Sequence, residues 1–160
     1  MGKKKILVLL SRQHSFSGKV IYWTCGRSYT HASISLDETG KCFYSFNFKG
    51  FCEEHPRKLQ SWQKKNRVCY ELEIGDREYK RIKKRIAYFV KRKSEFRYST
   101  FGLILCLLRI PHKFERHYFC SQFVAETLEM CHSVSIQRKS SLCLPKHLDR
   151  ALCMRKYVMT

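Results

Sequence analysis

The sequence predicts an α+β domain, and three observations carry that expectation. Two short stretches of alternating residues, His31–Asp37 and Cys42–Phe48, flank a turn. A long amphipathic stretch follows another alternating segment. A second apolar-periodic stretch begins abruptly at Cys120. Period-two alternation across a turn reads as a β-hairpin, whereas apolar residues three and four apart read as a helix face.

In chain order, Lys5–Ser11 is a short apolar run with turn residues after it and is expected to be a buried strand. Ser15–Gly18 reads as a turn, and Val20–Trp23 as a short strand or a helical turn. The hairpin comes next, with Asp37–Lys41 as its connection, so that residues near Tyr44–Phe46 lie opposite Ala32–Ile34. The stretch 51–65, with Pro56, reads as a polar connection, and Arg67–Ile74 alternates again as a strand. After Gly75-Asp76, a helix is expected from Arg77 to about Lys93. Tyr79, Ile82, Ile86, Phe89 and Val90 form its inner face, and Lys and Arg cover the rest. Phe96–Ile110 is nearly all apolar and is expected to be a buried helix or an apolar wall, ending at Pro111. The Cys120 helix runs to about Cys131, Pro145 opens a short helix, and Tyr157-Val158 is expected to close the chain as an edge strand.

The 160 residues are expected to form a single domain, 1–160, with no internal repeat and no linker. The nine cysteines are scattered, without a CxxC or CxxxC pair, which argues against a disulfide scaffold or a structural zinc site and for a reducing, cytoplasmic location. The apolar run 6–10 is too short for a secretory signal, and 101–108 falls short of a membrane span, so a soluble protein is expected. Neither a cofactor nor a metal is expected. The formal net charge of +19, from 32 Lys and Arg against 13 acids, makes contact with nucleic acid or an anionic membrane a competing expectation.

The chemistry is expected at Cys120. A cysteine in the first turn of a helix meets unpaired backbone N–H groups and the positive end of the helix dipole, both of which favour a thiolate. Such a cysteine needs a histidine. Among the seven, His31 is best placed, at the start of a strand and just after a polar loop. A thiolate–imidazolium pair would activate the sulfur, with a third polar group holding the ring in one tautomer. On strand alternation Ser45 is the candidate for that role, with Asn47 the alternative. His117, three residues before Cys120, is a rival partner on the preceding loop.

The order of these segments resembles the permuted papain-like cysteine hydrolases, related to NlpC-type peptidases, YiiX/YaeF-like proteins and the lecithin retinol acyltransferase group. The resemblance rests on Thr30–Asp37, Tyr44-Ser45-Phe46 with Gly50-Phe51, and Phe119–Val124, with a weaker echo in Leu144–Leu148. It implies a permuted papain-like (NlpC-type) fold, an antiparallel sheet packed against the Cys-bearing helix. It also implies hydrolysis or acyl transfer at a peptide, amide or lipid-ester carbonyl through an acyl-enzyme. Cys120 would attack and His31 would act as base. The Cys120 backbone N–H would stabilise the oxyanion together with a side chain such as Tyr22 or Gln122. The family's third residue is often His, Glu, Asn or Asp. Serine is a weaker orienter, which leaves open Glu53 or Glu54 in its place, or an inactive basic binding module on the same fold.

Overall fold

The computed structural model describes residues 2–12, 28–56 and 66–153. The expectations for Ser15–Gly18, for Val20–Trp23, including Tyr22, and for Tyr157-Val158 lie outside them. Among the described residues the architecture is α+β, with a five-stranded antiparallel sheet in the order β4-β3-β2-β1-β5. Its strands are β1 (Lys3–Ser11), β2 (His31–Ser35), β3 (Phe43–Asn47), β4 (Gly50–Glu54) and β5 (Arg67–Gly75). The helices are α1 (Asp76–Lys91), α2 (Thr100–Leu107), α3 (Cys120–Leu128) and α4 (Pro145–Leu152). A two-stranded parallel ribbon, β6 (Arg97–Tyr98) with β7 (His117–Tyr118), leads into α3.

β1 is the strand on which the register rests. Leu7 to Leu10 are all buried because both faces of the strand are covered, and both neighbours pair with it over most of their length. Ser11 lies opposite His31 and Arg67, and Leu7 opposite Ser35 and Glu71. The expected hairpin is present, with Ile34 opposite Tyr44.

β4 corrects the reading of 51–65 as a polar connection. Its first residues, Gly50 and Phe51, are buried, while Glu53 at its far end is exposed. The Glu-Glu-His-Pro run therefore masks an edge strand with only a short apolar beginning. The turn before it needs Gly50, whose φ is +104° and where a side chain would collide with the Phe96 carbonyl oxygen.

The core lies between the sheet and α1 and α3. Ile82, Ile86 and Phe89 of α1 and Phe123, Val124 and Leu128 of α3 meet Ile6, Val8, Ala32, Ile34 and Phe46 there. Phe46 is its hub, with ring centroids of Phe51, Phe89, Phe96, Tyr118 and Phe123 all within 6.4 Å. One apolar expectation fails and another holds only in part. Val90 is 38% exposed, because it falls one residue past the stripe that Ile82, Ile86 and Phe89 define. The apolar stretch 96–110 is not a buried helix throughout. Leu103 and Cys106 pack inward, whereas Phe101, Ile104, Leu108 and Ile110 are exposed.

At the start of α4, the Leu144 N–H donates to His147 Nδ1 at 3.0 Å, satisfying an N-terminal amide that a helix leaves unpaired. Burial and the charges of Arg138, Lys146 and Arg150 lower the His147 pKa to about 4.

Two outcomes are expected in denaturant titrations. Phe46→Ala should lose about 3–5 kcal/mol, whereas the exposed Leu108→Ala should stay within about 0.5 kcal/mol of the parent. For His147 the folded pKa of about 4 lies below the ordinary 6.5. The unfolded chain therefore binds more protons between these values, and stability should fall as pH drops through that window. His147→Gln should flatten that slope, and an unchanged slope would assign it to other groups.

Candidate active site

Four elements converge on Cys120. β6 and β7 pair in register, Tyr98 opposite Tyr118, and the Ser99 N–H donates to the Tyr118 carbonyl at 2.9 Å. That ribbon delivers the chain in extended conformation to Phe119, the N-cap of α3, whose side chain caps no amide. Phe119 is anchored instead by Leu103, Cys106 and Leu144. Cys120 is thus the first residue of the helix, with first-turn N–H groups that no capping side chain occupies. It is only 3% exposed.

His31 begins β2, held at Ser11 by the β1 register and by the Thr30 N–H donating to the Ser11 carbonyl at 2.9 Å. Its Nε2 lies 2.7 Å from Glu54 Oε1, a short hydrogen bond in which a carboxylate can only accept. Nε2 therefore carries the proton, and Nδ1 is the nitrogen left for sulfur. Burial pushes the His31 pKa down, but its interactions with the Cys120 sulfur and with Glu54 outweigh it and hold the pKa above its ordinary value. The ring thus pairs with a carboxylate of β4 and lies within electrostatic reach of the thiol of α3.

The residue steadying the ring is therefore Glu54 rather than Ser45. Ser45 is fully buried, and its hydroxyl donates to the Ala32 carbonyl at 2.6 Å, bracing β3 on β2. Asn47 is spent on the hairpin turn, where its Oδ1 accepts from the Lys49 N–H at 2.9 Å. Of the oxyanion candidates, Tyr22 lies outside the described residues. Gln122 is buried two residues after Cys120, and its amide donates along its own helix to Glu126 Oε1 at 3.4 Å. The rival His117 is exposed, with Nδ1 2.7 Å from the Glu115 carbonyl.

Two neighbours went unrecognised in the sequence. Cys52 lies on the same face of β4 as Glu54, its sulfur 3.9 Å from Glu54 Oε1. Burial first, then the charges of Glu54 and Cys120, raise its pKa to about 12. Tyr98 is partly buried beside Cys120, and burial together with the charge of Cys120 raises its hydroxyl pKa. Alternation on β4 would have paired Cys52 with Glu54 had that stretch been read as a strand. Nothing local marks Tyr98, which comes near through the parallel ribbon. Burial likewise raises the thiols of Cys69 to about 11, and of Cys131 and Cys143 to about 12.

A separate donor cluster, Cys42, Glu53 and His55, lies at the open end of the β3–β4 hairpin. The surface hollow closest to α3 in the chain is lined by His112, Lys113, Glu129 and Ser140 and does not include Cys120 or His31.

If Glu54 supplies the field that keeps His31 protonated, Glu54→Gln should lower the ring's pKa while keeping an acceptor for Nε2. A histidine-detected NMR titration reads this directly, and an unchanged His31 pKa would remove Glu54 from the role. No family model matches the chain, and neither a curated protein nor a solved structure matches it.

Proposed function

We propose that the chain is a cysteine hydrolase or acyl transferase acting on an amide or ester carbonyl, with a Cys120–His31–Glu54 triad. The observation that carries this reading is the His31 ring, bonded through Nε2 to a carboxylate and electrostatically coupled to a thiol at a helix start. An imidazolium beside a thiol is the arrangement that yields a thiolate ion pair, and a carboxylate on the far nitrogen keeps the ring in the useful tautomer. The order His, Glu, Cys along the chain agrees with the permuted papain-like fold, which is part of the same proposal.

In this mechanism the Cys120 thiolate attacks the carbonyl carbon and the carbonyl oxygen becomes an oxyanion, facing the first-turn N–H groups of α3. His31 passes its proton to the leaving amine or alcohol as the tetrahedral intermediate collapses to a thioester. The neutral ring then takes a proton from water, or from an acceptor nucleophile, which attacks the thioester and releases the acyl group. Glu54 holds the ring throughout and exchanges no proton. Peptides, other amides and lipid esters all fit this chemistry, and a cytoplasmic setting is part of the same reading.

A second reading has its own observation. Arg77, Lys80, Lys83, Lys84 and Lys91 lie on the exposed side of α1, opposite the buried Ile82, Ile86 and Phe89. That basic surface would serve as a binding module for nucleic acid or anionic membrane.

Iodoacetamide labelling at pH 7, followed residue by residue by mass spectrometry, tests the triad. Cys120 should be modified faster than Cys52, Cys69, Cys131 and Cys143. His31→Ala should abolish that advantage and slow turnover of an activated ester by roughly 100-fold or more. Equal labelling of all these thiols, unchanged by His31→Ala, would defeat the triad. Salt-sensitive binding of RNA or anionic vesicles, undiminished by Cys120→Ser, would then favour the basic module.

A further inference from the structure

We propose that Cys42, Glu53 and His55 form a binding site for a thiophilic divalent cation, of which zinc is the type, at the open end of the β3–β4 hairpin. One donor atom of each residue lies within 4.8 Å of the others. The register explains why. Phe43 lies opposite Glu54 and Tyr44 opposite Glu53, so one step further along the ladder sets Cys42 against His55. Alternation turns these residues to one face and Glu54 to the other. The cluster is therefore distinct from the Cys120 site, although Glu53 adjoins Glu54 in the chain.

The donor set is chemically selective. One thiol, one imidazole and one carboxylate suit zinc, and three protein ligands leave a fourth position for water. Metal–ligand bonds of about 2.0–2.3 Å in a tetrahedron put donor atoms roughly 3.5 Å apart. Closing from 4.8 Å takes about 1 Å of movement per pair, within reach of side chains that are half-buried in Cys42 and exposed in Glu53 and His55. His55 is already oriented, since its Nδ1 donates to the Lys41 carbonyl at 3.0 Å. That bond fixes the tautomer with the lone pair on Nε2, as the outer partner of a zinc-bound histidine commonly does. Binding displaces the thiol proton of Cys42 to solvent, so affinity rises with pH.

Among the described residues β4 is one of the two edge strands of the sheet. A cation held by Cys42 on one side and by Glu53 and His55 on the other would cross-link its free end to β3, one residue from the carboxylate that meets His31. The site stands independently of the proposed triad, and its test is run without a working nucleophile.

Cobalt(II) is titrated into the Cys120→Ser protein under a non-thiol reductant, with thiolate-to-metal absorption and zinc-dependent thermal stabilisation as readouts. The absorption should appear with one cobalt per chain and zinc should raise Tm. Adding Cys42→Ser should abolish the thiolate band, and adding His55→Ala or Glu53→Gln should weaken binding at least ~10-fold. Absence of the band, or its persistence in the Cys42→Ser variant, would overturn the proposal. Unfolding of each variant without metal verifies that the substitutions leave the fold intact.

Discussion

The hydrogen bond between Glu54 and His31 is the constraint on which the candidate site depends. Glu54 belongs to β4 and His31 to β2, so the carboxylate reaches across β3 to meet the ring. His31 is 5% exposed and the Glu54 side chain 26%, and charges so placed lose hydration that only each other and their hydrogen bonds can replace. Such a pair is weak support for stability, but it is demanding about geometry. It forms only if the hairpin turn at Gly50 returns β4 in one register and β1 holds the start of β2 in place. The Ser45 bond to the Ala32 carbonyl serves the same end, bracing the strand that separates the two charged ones.

The aromatic core connects that constraint to the nucleophile. Phe46 of β3 touches Phe123 of α3 and Tyr118 of the ribbon that delivers the chain to Cys120. Phe51 of β4, three residues before Glu54, meets Phe89 and Phe123. Cross-ring contacts of this kind are stiff and resist small displacements. The sheet that carries His31 and Glu54 and the helix that carries Cys120 are thereby referred to one packed cluster. Phe46, remote from any chemistry, is common to both halves of that cluster.

His31 and Cys120 were legible because each stands at the beginning of an element with a clear period, and the hairpin register followed from its turn. Glu54 was open only as an alternative to Ser45. Finding it required recognising β4, and an edge strand with one buried half and an acidic end carries no clean alternation. Register then determined which polar group faces the ring, and register between β3 and β4 is set by a turn rather than by hydrophobic pattern. Alternation correctly set Ser45 and Asn47 on one face, yet a shared face does not settle a partner. Ser45 is closer to a strand carbonyl than to the ring. The stretch 96–110 misled in the opposite direction. High apolar content implies burial only where another element is present to pack against it, and α2 has such a neighbour on one side, at Phe119 and Leu144.

The charge balance of the chain follows from how few acids it has and where they are used. Glu126, mostly buried, is met by Arg85, Lys113, Gln122 and Ser140 and ties α3 to three other segments. Glu78 accepts from the Gly75 and His132 backbone amides, and Asp149 from the Tyr70 hydroxyl. Glu54 serves His31. The chain has 13 acids against 32 Lys and Arg, and Glu126 alone meets two of the cations, Arg85 and Lys113. The same scarcity makes Glu54 hard to replace from nearby. Its neighbours two residues away along the chain are Cys52 and Pro56, and neither presents a second carboxylate to the ring. A strongly basic exterior around one thiol–imidazole–carboxylate array would draw anionic molecules toward the surface without selecting among them.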